Sequence, residues 1–245
     1  MGNQVGQPAA CKLQNRVAII TGSGTGLGQA TALQFAREGA IVVLCGRRVS
    51  KLEDVKRQIE AAGGRALAVQ ADVSSESDVD ALISIVIKAY GRIDVLINNA
   101  AVLDTGKVLD TSLDAWNYQL LNNLTSVFLM MKACLPFMKD RQYGRIVNIT
   151  SGLAPDGAGG FAAYSASKAG LESLTRSVAG EEGGRDLLIN MYDPGILKTE
   201  MQASGADPST AVPGLLRLAT LPAHGPNGML FEAPYLDDGQ IVSGI

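Results

Sequence analysis

The chain predicts an α/β fold organised around a parallel sheet buried on both faces. Three observations carry this expectation. Short, wholly apolar runs recur along the chain, amphipathic stretches of helical period separate them, and a glycine-rich turn joins the first run to the first helix. Apolar runs this short, flanked by helices, read as strands covered on both sides. Strand–helix–strand connections of this kind pair strands in parallel through right-handed crossovers.

The elements follow in order. Val17-Ala18-Ile19-Ile20 is the first strand, and a helix over 29–38 follows its glycine turn. The second strand spans 41–44, and the helix after it, 50–61, stops at Gly63-Gly64. The third strand is 66–69. Ser74-Ser75-Glu76 is a helix start, and the helix runs to Tyr90 and ends at Gly91, as capping chemistry prefers. Residues 93–97 are strand-like. Residues 113–138 read as one long helix with Leu120, Leu124, Val127, Phe128 and Met131 at helical spacing. A strand over 145–149, a helix over 161–181 and a strand over 187–191 complete the regular part. Beyond Pro194 the pattern weakens: 207–219 reads as one short helix, and from Gly225 the chain is spotted with Gly and Pro. No linker-like stretch interrupts 12–193 and no repeat recurs, so residues 1–245 read as one domain with 1–11 a disordered lead-in.

Composition narrows the function. At 47% hydrophobic and 18% charged the chain is an ordinary globular protein, able at this length to bury a substantial core. Its net charge of −3, without any basic run, argues against a nucleic-acid partner. Three scattered cysteines, Cys11, Cys45 and Cys134, and one histidine, His224, exclude a disulfide framework and a zinc site. They predict no metal and a cytoplasmic, reducing location. No apolar run approaches the roughly 18–20 residues that cross a bilayer, so no membrane partner is expected. Met1 to Ala10 is polar, unlike a signal peptide, and Gly6 stands where a myristoylation site needs Ser or Thr. His224 reads as a loop residue.

Two clusters carry chemistry. The first is Thr21-Gly22-Ser23-Gly24-Thr25-Gly26-Leu27-Gly28, between the first strand and its helix. Glycines there allow close approach of a ligand to the backbone, and the free N–H groups of the helix start face an anion. Strand, glycines, helix and second strand together are the context of a dinucleotide site, and they sharpen the fold to a doubly wound, Rossmann-type sheet of about seven strands. The second cluster is Tyr164-Ser165-Ala166-Ser167-Lys168, with Ser151 upstream. Tyrosine and lysine four apart project from one helix face. An ammonium close to a phenol favours the phenolate, so the spacing predicts a lowered Tyr164 pKa. A serine hydroxyl from another segment completes a group suited to proton transfer at a carbonyl or alcohol oxygen.

The second strand ends Leu44-Cys45-Gly46-Arg47-Arg48. Dinucleotide folds often place there an acidic residue for the adenosine ribose. Glycine removes that carboxylate, and a guanidinium matches a 2′-phosphate in charge and fork geometry. The residues therefore favour NADP(H), bound by Arg47 and Arg48.

Taken in order, Thr-Gly-x-x-x-Gly-x-Gly at 21–28, Asn98-Asn99-Ala100, Asn123, Ser151, Tyr164-x-x-x-Lys168 and Pro194-Gly195 resemble the short-chain dehydrogenase/reductase family, single-domain type, over roughly 12–199. The resemblance implies catalysis by Asn123, Ser151, Tyr164 and Lys168. Tyr164 would be the general acid/base and Lys168 would hold the nicotinamide ribose. Ser151 would orient the substrate oxygen, and Asn123 would bend the long helix and anchor a relay water; Asn122 is its rival. Cofactor contacts would come from Gly22, Ser23, Thr25, Gly26, Leu27, Gly28, Arg47, Arg48, Asp72, Val73, Asn99, Ala100, Tyr164, Lys168, Pro194, Gly195, Ile196 and Thr199. Asp72 also reads as an N-cap-like aspartate, and Asn98 and Asn99 as sheet supports. Two departures stand out: Thr25 where many NADP-preferring relatives carry a basic residue, and Asp193 where a small or apolar one is common. The implied activity is NADP(H)-dependent reduction of a carbonyl to an alcohol, or the reverse, on a small-molecule substrate. The segment 196–224 would cover the substrate, and its shortness suggests an open site for a broad or bulky carbonyl. The long helices would pair into a homodimer or homotetramer. An NAD-dependent alcohol, sugar or steroid dehydrogenase stays open, as does a catalytically silent NADP(H)-binding sensor; the latter class usually loses the tyrosine or lysine kept here.

Overall fold

The structure, a computed structural model, describes residues 11–233. The expected lead-in before Cys11 and the tail from Pro234 lie outside the described residues. Seven strands form one sheet, β1 (Val17–Thr21), β2 (Ile41–Gly46), β3 (Arg65–Gln70), β4 (Val95–Asn98), β5 (Gly144–Ile149), β6 (Leu187–Asp193) and β7 (Leu230–Glu232). Every pairing is parallel, in the order β3-β2-β1-β4-β5-β6-β7. The helices are α1 (Gly26–Arg37), α2 (Val49–Ala61), α3 (Glu76–Tyr90), α4 (Leu113–Leu120), α5 (Ser126–Asp140), α6 (Leu153–Asp156), α7 (Ala162–Glu181) and α8 (Val212–Ala219).

The period-2 alternation of strands divides the core in two. Ala18, Ile20, Val42, Leu44, Val95 and Ile97 pack with Phe35 of α1, Leu52 and Ile59 of α2, and Leu215 of α8. Val17, Ile19, Val43, Cys45, Leu96 and Ile146 pack with Leu82 of α3, Val127 and Met131 of α5, and Leu171 of α7. Both faces are covered, so the strands are apolar at successive positions and not only at alternate ones. Between β1 and β4 the crossovers diverge toward opposite edges of the sheet, and a crevice opens at the carboxyl ends of these strands.

Three elements differ from the expectation. The long helix is interrupted by a π-helical turn, Leu121–Thr125. There the Asn122 amide donates to the Tyr118 carbonyl (2.8 Å) and the Ser126 hydroxyl to the Asn122 carbonyl (2.6 Å). Side chains thus compete for carbonyls that the helix would use, and a local bulge results. The stretch Leu113–Asp140 has a mean hydropathy of 1.3 and is long enough to span a bilayer by length and composition. Yet Gln119, Asn122 and Asn123 are buried in it, and it packs against the sheet and α7 as a core helix. The helix expected over 207–219 splits into a 3-10 turn, Pro208–Ala211, and α8, because Pro213 has no N–H to continue the ladder. The seventh strand forms where only Gly and Pro were visible. Asn190 takes the Met229 N–H (3.0 Å) and donates to the Pro226 carbonyl (2.8 Å), and Asn227 accepts from Ile189 N–H (2.8 Å), which guides β7 to the edge.

Candidate active site

The crevice holds one cavity of about 910 Å³, and the expected residues meet along it. At its near end, Gly22 has φ +65° and turns the chain out of β1. Gly28 lies so close beneath that a Cβ there would meet the Gly22 carbonyl at 2.4 Å. No side chain caps α1 and its first turn has no acid, so its N–H groups face the cavity, suited to a pyrophosphate. Arg47 and Arg48 line the adenosine end. Arg47 donates to the Tyr118 hydroxyl (3.3 Å), while Arg48 pairs with Glu200 (2.7 Å) and reaches Thr25 (3.4 Å). Asp72 accepts from the Ser74 N–H (2.9 Å) and hydroxyl (2.6 Å). Burial disfavours its carboxylate, but these bonds and the Arg47 charge hold its pKa below the ordinary range. It also lines the cavity, so both readings of Asp72 coexist in one residue.

At the far end β5 delivers Ser151, and the first turns of α7 deliver Tyr164 and Lys168. The Ser151 hydroxyl accepts from the Leu153 N–H (3.3 Å) and lines the cavity with the phenol. Lys168 is 3% exposed, donates to the Ile149 carbonyl (2.8 Å) and stands 5.7 Å from the Tyr164 ring centre. The expected lowering of the phenol pKa is corrected here. Burial and the nearby Asp193 raise it against the pull of Ser151. Burial brings Lys168 itself down to about 8, with Asp193 opposing. The reason is geometric: the ammonium is directed at a backbone carbonyl, and desolvation outweighs the charge effects on both groups.

Three expected site residues do not line the cavity. The Ser23 hydroxyl accepts from Cys45 N–H (2.9 Å) and ties the turn to β2. Gly28 lies under the turn. Asn123, fully buried, brackets Val102 through its N–H (2.8 Å) and carbonyl (2.9 Å) and donates to Ser167 (3.1 Å). Its rival Asn122 does line the cavity. Of the segment 196–224, only the part to Gln202 lines it; α8 packs in the core beside α1.

A family model described as short chain dehydrogenase matches residues 16–209. The chain belongs to the short-chain dehydrogenase/reductase family. It is 41% identical to a 3-oxoacyl-(acyl-carrier-protein) reductase of Synechocystis sp., over 77% of each chain. It is 38% identical to a meso-2,3-butanediol dehydrogenase of Serratia marcescens, covering 78% of this chain and 74% of that one. Among solved structures, a metagenomic short-chain oxidoreductase in complex with NADP superposes with a TM-score of 0.82 at 32% identity, over 90% of this chain and 98% of that chain.

In this short-chain dehydrogenase/reductase the cavity takes in Gly46, as the cofactor argument expects, and also residues that sequence reasoning did not name as contacts: Lys51, Tyr118, Asp104 and Glu200. Tyr118 carried a signal, since it precedes Asn122 by one helical turn. Glu200 carried none, because its partners Arg48 and Lys51 (3.5 Å) are distant in sequence.

The Lys168 value has a consequence in the free protein. Its folded pKa of about 8 lies below the unfolded value near 10.4. Between these the unfolded chain binds more protons, so stability rises with pH; the penalty is complete below about pH 8. Lys168→Met removes this slope. Urea unfolding at several pH values from about 7 to about 10.4 should show the stability of the wild type gaining on that of Lys168→Met above about pH 8. A difference independent of pH would contradict the buried, lowered lysine.

Proposed function

We propose that the protein is an NADP(H)-dependent oxidoreductase that reduces a carbonyl to an alcohol, or runs the reverse. The observation that carries this is the assembly of Ser151, Tyr164 and Lys168 at one end of a cleft whose other end has the glycine turn, Arg47 and Arg48. The residues fit the cofactor: the close Gly22–Gly28 approach leaves room over the turn, the N–H groups of α1 suit a pyrophosphate, and two guanidiniums suit a 2′-phosphate. The neighbour crystallised with NADP supports the same reading.

When bound, the nicotinamide supplies or accepts hydride at the reacting carbon. The chain's residues do the rest. Tyr164 gives its proton to the carbonyl oxygen in reduction and takes it back in oxidation. Its raised pKa keeps the phenol protonated at neutral pH, the form that reduction needs. Ser151, which lines the same end of the cavity, holds the substrate oxygen beside the phenol, and Lys168 is placed for the ribose hydroxyls. Asn123 is a positioning residue: it joins the segment after β4 to α7 through Ser167, whose hydroxyl donates to the Tyr164 carbonyl (2.6 Å). The two curated relatives act on different carbonyl/alcohol pairs, so the substrate follows from this chain's own pocket.

NADPH oxidation with a panel of ketones tests the reading. Tyr164→Phe should lower kcat by about 10²–10⁴-fold, and full retention on any ketone would refute the mechanism. Arg47→Asp should raise the Kd for NADPH by about 10–100-fold and spare NADH, from the loss of a charge-assisted bond to the phosphate. An unchanged NADPH/NADH ratio would favour the NAD-dependent alternative. We further propose a homodimer or homotetramer joined through the long α4–α5 stretch and α7, supported by the exposure of Leu113 (72%), Leu121 (41%) and Phe128 (45%) on the former. Sedimentation velocity should show a dimer or larger at micromolar concentration, and a single monomeric species would rule it out.

A further inference from the structure

The reacting end of the cavity contains a carboxylate that this chemistry does not use. Asp193 ends β6 and lines the cavity with Ser151, Gly152, Tyr164 and Lys168. Its Oδ1 accepts from Gly195 N–H at 2.9 Å, so its own loop fixes the side chain. Its Oδ2 turns toward Gly152: a Cβ on that residue would stand 3.3 Å from it. Gly152 directly follows Ser151 in the chain, and both line the reacting end of the cavity together with Asp193. Among the described residues, the one side-chain hydrogen bond of Asp193 engages Oδ1, and Asp193 takes part in no ion pair.

The charges around it sharpen the point. Lys168 is the cation of this end, but its ammonium is directed at the Ile149 carbonyl. Arg47, Arg48 and Lys51 lie at the adenosine end with the acids Asp72 and Glu200, Asp104 is a further acid of the lining, and Glu172 is bonded to Thr150 (2.8 Å). The Asp193 charge reaches the phenol and the lysine, raising both. A carboxylate oxygen is a strong hydrogen-bond acceptor, and one that opens onto the cavity can take a donor from a bound molecule in place of water. Among the described residues no side chain supplies that donor, which leaves Oδ2 open to a donor on the substrate.

Building on the carbonyl-reductase reading, we infer that Asp193 is a specificity-determining residue, selecting carbonyl substrates that carry a hydroxyl or amino donor beside the reacting carbonyl and disfavouring those with an anionic group there. The matching alcohols are vicinal diols and amino alcohols. The donor binds Oδ2 while Ser151 and Tyr164 hold the reacting oxygen, and this fixes which face of the carbonyl is presented.

The test compares kcat/KM with NADPH for 1-hydroxy-2-butanone, 2-butanone and 2-oxobutanoate in wild type, Asp193→Asn and Asp193→Ala. Ratios within one variant cancel any effect on Tyr164 or Lys168 that all three substrates share. The wild type should favour the hydroxyketone over the plain ketone by about 10–100-fold, the size of one charge-assisted bond. Asp193→Ala should bring that ratio close to one, and both variants should improve the relative use of 2-oxobutanoate. Asn keeps the acceptor for Gly195 and guards against misfolding of the loop, which thermal melts check. An unchanged ratio in Asp193→Ala overturns the inference. So does a shift in the Kd for NADP+, measured by calorimetry, with the substrate ratio unmoved, since the carboxylate would then serve the nicotinamide. If the wild type oxidises NADPH with no carbonyl at all, the carbonyl-reductase reading itself fails and the inference falls with it.

Discussion

The cleft depends on a seam of hydrogen bonds between β1 and β4. These neighbours send their chains to opposite edges of the sheet, so no crossover covers their carboxyl ends. Backbone groups exposed at such a switch point need partners, and side chains provide them. The Thr21 hydroxyl accepts from Asn99 N–H and Ala100 N–H, both at 3.0 Å. The Asn99 amide donates in return to the Thr21 and Gly22 carbonyls, at 2.9 and 3.3 Å. Each strand thereby satisfies the other, and the turn after β1 is held out while α1 passes beneath it. A Cβ on Gly28 would meet both the Gly22 carbonyl and the Asn99 amide, at 2.4 and 2.6 Å. The requirement for glycine there comes from the seam as much as from any ligand.

The reacting end is positioned by a similar logic applied to α7. Its apolar stripe gives depth, with Leu171 and Ala179 in the core, but apolar contacts leave rotation and register loose. Polar bonds fix them. Asn98 donates to Asn148 (2.8 Å) and Asn148 to Thr175 (2.9 Å), which ties β4, β5 and α7 in one line. Thr150 donates to Glu172 at 2.8 Å, and Asn123 holds Ser167 from the π turn. Buried networks of this kind cost desolvation unless every member finds a partner, and a fully satisfied one specifies a single arrangement. Tyr164 and Lys168 thus stand on a helix with fixed rotation, as proton transfer at a held oxygen demands.

The parts of this molecule legible in sequence are those whose physics is local. The six longer strands, the glycine turn and the Tyr164–Lys168 spacing depend on neighbours a few residues away, so periodicity and turn chemistry reveal them. The π turn was legible only through the resemblance, which put a bend at Asn123; its local cause, Asn122 and Ser126 side chains competing for backbone carbonyls, is a choice that spacing does not record. β7 was hidden for a related reason: it is too short for a period and is guided by Asn190 and Asn227. The Tyr164–Lys168 pair was placed correctly and its electrostatics were not. Sequence shows two side chains on one face, but the balance between a neighbouring charge and lost water depends on how deeply the whole fold buries them. Asp193 was visible as a departure, and only the direction of Oδ2 gives it a meaning.

Charge is also divided along the cleft, and one segment spans the division. Glu200 pairs with Arg48 and Lys51 at the adenosine end, while its neighbour Met201 lines the same cavity. Thr199 between Lys198 and Glu200 rests on the turn, where a Cβ on Gly26 would meet its methyl at 3.0 Å. The Thr199 hydroxyl accepts from Met201 N–H (3.2 Å) and Gln202 N–H (3.3 Å), so the segment is tied within itself as a compact turn. Both side chains of the Arg48–Glu200 pair are more than half exposed, at 57% and 52%. Such pairs are screened by water and salt and hold weakly. The carboxylate holds the segment against α2 without locking it there, and the two ends of the cleft are joined through one short stretch of chain.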